Sequence, residues 1–255
     1  MPINPWTREE LILAFNLYMK IPFGKYHRGN PDVIQLAKLM TRTPSAVAMR
    51  LSNFASVDPY HQKRGIKGLT GGIKQVQPIW DEFSENKEEL IFESEKILAQ
   101  FQQTTIEEKY KGILDDIENY EGLSKVREVK TRVNQNVFRQ IVLVNYRGRC
   151  AITQLDRPNL LIACHISPWS KDIANRLNPQ NGILLNSLHD RAFENGFITI
   201  DNKMRALVCS DWLKSTDSFL TSCFNIFHKK EIAMPERFLP DKKFLERHRE
   251  EKFVG

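Results

Sequence analysis

Apolar residues recur at helical spacing through most of the first half of the chain. Leu11, Ala14, Phe15 and Tyr18 follow Thr7 and Glu10, which stand three apart as the two halves of a capping box. A loop over Ile21 to Asn30 leads to Asn30-Pro31, a helix start, with Val33, Ile34, Ala37 and Met40 as the apolar face behind it. Thr43-Pro44-Ser45 starts a third helix carrying Val47, Met49, Leu51 and Phe54. From Pro59 to Gln77 glycine and proline interrupt the pattern among His61, Lys63, Arg64, Lys67 and Lys74, which predicts an exposed basic arm or loop. Charged helical text over Ile79 to about Tyr120, with Ile91, Ile97, Leu98 and Phe101, predicts a solvated connector.

The pattern changes after Val126. Arg127 to Tyr146 reads as a basic amphipathic helix with Val133, Val137, Ile141 and Val144 among its apolar positions, stopped at Arg147-Gly148. Short strands are predicted around Leu160 to Ile162 and Gly182 to Leu185. A helix over Ser187 to Glu194 closes at Asn195-Gly196, and Phe197 to Ile200 reads as a further strand. The predicted class is α+β: a helical domain over 1–78, a charged helical connector over 79–123, and a β-β-α domain with a C-terminal extension over 124–255.

Charge and cysteine usage narrow the partners. The net charge of +6 and a pI near 9.1 favour a polyanion. No apolar run approaches the roughly 20 residues a membrane span needs, so no membrane partner is expected. The opening MPINPWTREEL lacks the regions of a signal peptide, and four cysteines without CxxC spacing suit a reducing compartment; a cytoplasmic location is expected. Leu36 to Phe54 resembles a helix-turn-helix, whose second helix would turn Ser45, Ala48, Met49, Arg50 and Asn53 toward DNA. Lys63, Arg64, Arg132, Arg139 and Arg147, with Arg127 and Lys130, are candidate phosphate contacts; solvated helix faces would carry the same residues.

Candidate chemistry lies between Cys150 and Gly196. The text runs Cys150-Ala-Ile-Thr-Gln, then Leu161-Ile-Ala-Cys-His165-Ile-Ser-Pro-Trp, then Asn181-Gly-Ile-Leu-Leu-Asn-Ser-Leu-His189-Asp190-Arg-Ala-Phe193-Glu194-Asn-Gly196. A His at a strand end, an Asn opening the next strand and a His or acid on the following helix resemble the HNH, or ββα-metal, endonucleases, and within them a branch of restriction endonucleases. The likeness runs from about Arg127 to Ile200, with a looser match from Pro240 to Arg249.

Phosphodiester hydrolysis needs an activated water and stabilisation of charge on the phosphate. An imidazole titrating near neutrality suits the base, and the resemblance gives that role to His165. It gives Asn181 the bracing of the loop that carries the base; an ordinary turn asparagine would make nearly the same contacts. The metal ligands depart from the family pattern, since Cys164 stands where an Asp commonly precedes the base and the position nine after Asn181 is Asp190, with His189 one earlier. Asn186, Asp190 and Glu194 share a helix face, while His189 points about a hundred degrees away. Asp190, with Glu194, would suit Mg²⁺ or Mn²⁺; His189 with Cys164 would lean to Zn²⁺ or Ni²⁺. His189 is placed slightly ahead because the family motif centres on it. Where relatives carry two CxxC pairs for a structural zinc, this chain has Cys150 and Thr153, Asn186 and His189, which cannot make a four-cysteine cage.

The reading is a divalent-metal-dependent endonuclease acting on double-stranded DNA, with a restriction or defence role and action on modified DNA suggested by the branch, and a homodimer compatible with it. The alternative is a DNA-binding regulator or scaffold with a degenerate, metal-free nuclease module, for which the missing Asp before His165 speaks. RNA processing is a third.

Overall fold

A computed structural model describes residues 5–21, 24–114 and 122–255. Residues 22–23 of the expected loop and 115–121 of the expected connector lie outside them. Contacts divide the chain into two compact units, Met1–Val137 and Phe138–Gly255.

The first unit holds α1 (Arg8–Lys20), α2 (Pro31–Leu39), α3 (Pro44–Val57), α4 (Pro59–Lys63), α5 (Ile73–Phe83), α6 (Lys87–Phe101), the short α7 (Ile106–Lys109) and α8 (Lys111–Leu114), and the start of α9 (Gly122–Asn145). The capping box forms: the Glu10 amide donates to Thr7 Oγ1 at 3.2 Å and the Thr7 amide to Glu10 Oε2 at 2.8 Å. Asn30 and Thr43 cap the next two helices, each followed by its proline. The core is aromatic at its centre, with Phe15 stacked on Phe54 at 4.7 Å and Trp80 tilted against Phe15 at 5.1 Å. Ile34, assigned to the apolar face of α2, is exposed; Leu36 takes the buried place beside Val33, Ala37 and Met40.

The segment expected as an exposed arm is more ordered than its glycines imply. Asp58 caps α4 through the Tyr60 amide, and His61 is fully buried, edge-on to Tyr18 at 6.3 Å. The helical repeat Ile73, Val76, Ile79, Phe83 straddles the boundary drawn at Gln77, so α5 begins inside the supposed arm. Lys63, Arg64 and Lys67 remain exposed. The segment expected as connector is packed: Ile79, Phe83, Leu90 and Ile97 join the core of α1 to α3, and the opposite side of α6 adds Phe92 to Ile106, Leu114, Val129 and Val133.

Between these faces Glu95 gathers Asn16 Nδ2 at 3.2 Å, Lys20 Nζ and Lys109 Nζ at 2.8 Å, and the Tyr110 hydroxyl at 2.8 Å. Burial pushes its carboxyl up, but Lys20 and Lys109 outweigh that and bring it down to about 2.

The second unit builds the expected β-β-α order. β1 (Leu161–His165) pairs antiparallel with β2 (Gly182–Asn186), setting His165 opposite Gly182 and Cys164 opposite Ile183. Then α10 (Ser187–Glu194) follows directly, capped by Asn186 through the His189 amide at 2.8 Å. A second two-stranded sheet, β3 (Ile198–Ile200) with β4 (Ala206–Val208), completes the strands. Then come α11 (Ser210–Lys214), α12 (Ser218–Cys223) and α13 (Lys242–Glu251). Through His248, α13 docks on α10 and β3: its ring stacks on Phe193 at 3.8 Å, Nδ1 meets Thr199 Oγ1 at 2.9 Å, and Nε2 meets the Phe193 carbonyl at 2.9 Å. Burial lowers this imidazole to about 4, so it is a neutral strut. Among the described residues no helix is long and apolar enough to cross a membrane.

Glu95→Gln should destabilise the first unit by about 3 kcal/mol at pH 7, since removing the buried carboxylate leaves two partly buried lysines uncompensated. The carboxyl is held below its unfolded value near 4.5, so its contribution is complete above that pH and fades as pH falls toward about 2. Denaturant unfolding across pH should show the gap between wild type and variant closing in that window.

Candidate active site

His165 ends β1 half-buried, with its ring stacked on Phe138 at 4.0 Å and 14° and edge-on to Trp169 at 5.3 Å. Its Nε2 lies 2.8 Å from the Arg176 carbonyl oxygen. A carbonyl can only accept, so Nε2 carries the proton and Nδ1 the lone pair. Burial lowers the imidazole pKa, partly countered by that carbonyl and reinforced by the Arg176 charge. The ring is therefore neutral at pH 7, the form a base requires.

The loop between β1 and β2 positions this carbonyl, and Asn181 closes the loop. Fully buried, Asn181 accepts from the Ser167 amide at 2.7 Å, while its Nδ2 donates to the carbonyls of Ser167 at 3.0 Å and Asn175 at 3.1 Å. Its own carbonyl takes the Ile166 amide at 2.9 Å. Arg176 is tied in turn by Nε to the Trp169 carbonyl at 2.7 Å. Gly182 follows because a Cβ there would stand 2.6 Å from Val142 Cγ2 and 2.9 Å from Phe138 Cζ. Only glycine lets β2 lie this close to α9, whose Phe138 backs the imidazole.

The two residues weighed as the leading metal ligand face different surroundings. His189 is buried between Phe224 at 5.1 Å and Phe227 at 5.6 Å, with Nε2 on the Cys223 carbonyl at 2.9 Å. Its Nδ1 is also buried, without a hydrogen-bond partner, and burial depresses its pKa. The preference for His189 thus meets a packed, inward-turned ring. Asp190, one step round α10, instead faces Cys164 on β1. Burial raises the Asp190 pKa; Cys164 opposes the shift and Glu194 adds to it. Burial, then Asp190, push the Cys164 thiol up, so it stays protonated. Glu194 lies a turn further along, paired at the surface with Arg191 at 2.9 Å.

Among the described residues no three His, Cys, Asp or Glu side chains are grouped to hold a metal ion. The donor set is one half-buried carboxylate beside a thiol. That fits a hard cation that keeps several waters and completes its shell with phosphate oxygens, and does not fit a closed protein cage.

The remaining candidates are scattered. Ser45 and Met49 are exposed on α3, Arg50 is half-buried and Asn53 is buried. Lys63 and Arg64 are exposed at the end of α4, where Arg64 leans on Tyr60. Arg132 pairs with Glu128, and Arg147 with Glu236 at 2.7 Å. Arg139 is occupied as a brace, donating to the carbonyls of Leu161 at 2.6 Å and Pro158 at 2.8 Å. Sequence reasoning missed Phe138, Trp169 and Arg176. The first sits on a helix read only for its periodicity. Arg176 acts through its main chain, which no side-chain pattern discloses.

Residues 150–201 match the family model described as HNH endonuclease. No curated protein matches the chain.

Removing the Asn181 amide should cost about 3 kcal/mol of stability in the second unit, because one amide and two carbonyls lose their partner. Asn181→Asp keeps the acceptor for Ser167 but sets a buried carboxylate oxygen against the carbonyls of Ser167 and Asn175, so at neutral pH it should unfold at least as readily as Asn181→Ala. Equal stability of all three would dismiss the bracing role.

Proposed function

We propose that this chain, which carries an HNH endonuclease domain over residues 150–201, is a DNA endonuclease in which His165 is the general base. The observation carrying this reading is the His165–Arg176 contact, which leaves Nδ1 as the proton acceptor of a neutral ring. The imidazole takes a proton from the attacking water. Phe138 and Asn181 hold its plane and its loop in place, so little reorganisation is needed as the reaction proceeds.

In this reading Asp190 holds a divalent cation; its half-buried carboxylate beside Cys164 supports that, and the packed ring of His189 speaks against the other candidate. A hydrated Mg²⁺ or Mn²⁺ there would stabilise charge on the phosphate and leaving oxygen. With the His189 ring packed between Phe224 and Phe227, the pair of Asp190 and Cys164 lacks that imidazole, which speaks for an oxygen-preferring ion over Zn²⁺ or Ni²⁺. Exposed Lys63 and Arg64, with the exposed side of α3, offer phosphate contacts in the first unit. A restriction or defence role, including action on modified DNA, rests on the sequence resemblance. Comparing cleavage of modified and unmodified genomic DNA tests it.

One observation favours a second reading, a DNA-binding protein whose nuclease module is inert: Cys164 replaces the acid that commonly precedes the base. Plasmid cleavage with Mg²⁺ or Mn²⁺ separates the two.

His165→Ala should reduce cleavage by roughly 10²–10⁴-fold while leaving DNA affinity within a factor of about three. Undiminished turnover would remove His165 from the mechanism. Because burial holds this imidazole below its ordinary value, the wild-type rate should climb with pH through a half-maximum below about 6.5 and flatten above it. A half-maximum above neutral pH would mean a different base.

A further inference from the structure

The first unit carries a cleft of about 770 Å³ for which the hydrolytic chemistry has no use. One wall is α3, whose Ala46, Met49, Arg50 and Asn53 fall at i, i+3, i+4 and i+7 and all line it. The facing wall is the turn from Leu69 to Gln75, and Trp6 completes the lining. The walls are joined at their base. Asn53 Nδ2 donates to the Leu69 carbonyl at 2.5 Å, and a Cβ at Gly72 would stand 2.1 Å from Asn53 Oδ1 and 2.6 Å from Arg50 Nη1. Asn53 is therefore a strut between the walls. The side of α3 expected to enter a major groove instead forms a recess roofed by its own chain.

The charges in the recess have one sign. Arg50 and Lys74 line it, and no Asp or Glu does. The Arg50 guanidinium lies 4.8 Å over the Trp6 ring, and its Nε is buried without a hydrogen-bond partner. Arg42 lies over the same ring at 4.9 Å, but is held by both Glu10 oxygens at 2.8 Å and by the Pro5 carbonyl at 2.8 Å. One arginine is fully engaged with the fold; the other makes one long bond, Nη1 to Asn53 Oδ1 at 3.3 Å, and has donors left over.

A backbone phosphate alone calls for exposed cations and has no need of the apolar surface that Trp6, Met49 and Leu69 provide. The broad apolar surfaces of DNA are the base faces, which are covered in a duplex unless a nucleotide is unpaired or extruded, whereas the thymine methyl in the major groove is a single small group. Thr70 and Gln75 supply polar groups for a base edge.

We propose that the cleft between α3 and the Leu69–Gln75 turn binds one unstacked nucleobase, with Arg50 and Lys74 on its adjoining phosphate. The first unit then recognises DNA at an unpaired or extruded nucleotide. This rests on the endonuclease reading in taking DNA as the polymer.

The test is fluorescence anisotropy with the full chain in EDTA, comparing a paired duplex with the same duplex carrying one unpaired nucleotide. The wild type should prefer the unpaired site by roughly tenfold, the scale of one stacked base. Trp6→Ala and Arg50→Met should bring that preference to about one while changing paired-duplex affinity by less than about threefold, a change limited to one phosphate contact. Gly71→Leu guards against a misfolded variant: a Cβ there meets nothing within 4 Å, so the side chain enters open space and should block the cleft with the core intact. Equal binding of the two duplexes by the wild type would overturn the proposal. So would a preference that survives Arg50→Met and Gly71→Leu, or tighter binding of the same bulge in RNA. Plasmid cleavage with Mg²⁺, run in parallel, tells the two readings apart: cleavage without preference sinks the cleft alone, whereas neither cleavage nor binding sinks the endonuclease reading as well.

Discussion

The bond from His165 Nε2 to the Arg176 carbonyl fixes which ring nitrogen can take a proton, and much of the second unit keeps that carbonyl in place. A backbone oxygen can serve this way only if its loop is rigid. The loop between β1 and β2 has little regular structure beyond short turns, so its rigidity comes from side chains reaching back to main chain. Asn181 supplies three such bonds and Arg176 another. The closeness of α9 then demands a glycine at 182, and Phe138 covers one face of the ring. Desolvation follows from that cover and keeps the imidazole neutral. Tautomer, orientation and protonation state thus come from one packing arrangement.

On α10 adjacent residues serve opposite ends. His189 turns into an aromatic nest and fastens α10 to the Cys223 carbonyl at the end of α12. Asp190 turns to β1 and keeps a half-desolvated carboxylate beside Cys164. Swapping their duties would place a charge among phenylalanines, at a cost of several kcal/mol, or leave the strand facing an imidazole where a hard cation prefers oxygen.

The β-β-α order, the caps at Thr7, Asn30 and Thr43, and the helix of basic residues before Cys150 were all legible, because each follows from local spacing. The packing of α6 was not, since charged residues are interleaved through it and two separate apolar faces blur the periodicity. Glycines hid α4 and the start of α5, whose burial depends on contacts with distant helices. At the site, His165 and Asn181 stood out by residue type. The choice between His189 and Asp190 needed the direction of α10 against β1, which spacing alone leaves open. The role of Arg176 was invisible because it is carried by a carbonyl.

Cys150 shows how the corner between β1, β2 and α10 is closed. Its buried sulfur receives the amides of Thr153 at 3.5 Å and Asn186 at 3.3 Å, and Asn186 Nδ2 reaches Thr153 Oγ1 at 3.3 Å. These are the positions at which some members of the resembling family place cysteines around zinc. Here they bond to one another, so the free energy that shapes this corner does not vary with the activity of an ion in solution. On the endonuclease reading proposed above, folding and metal loading are then separate equilibria for this unit. A medium poor in divalent cations would leave such a protein intact but silent, and a rise in the ion would act on chains already folded.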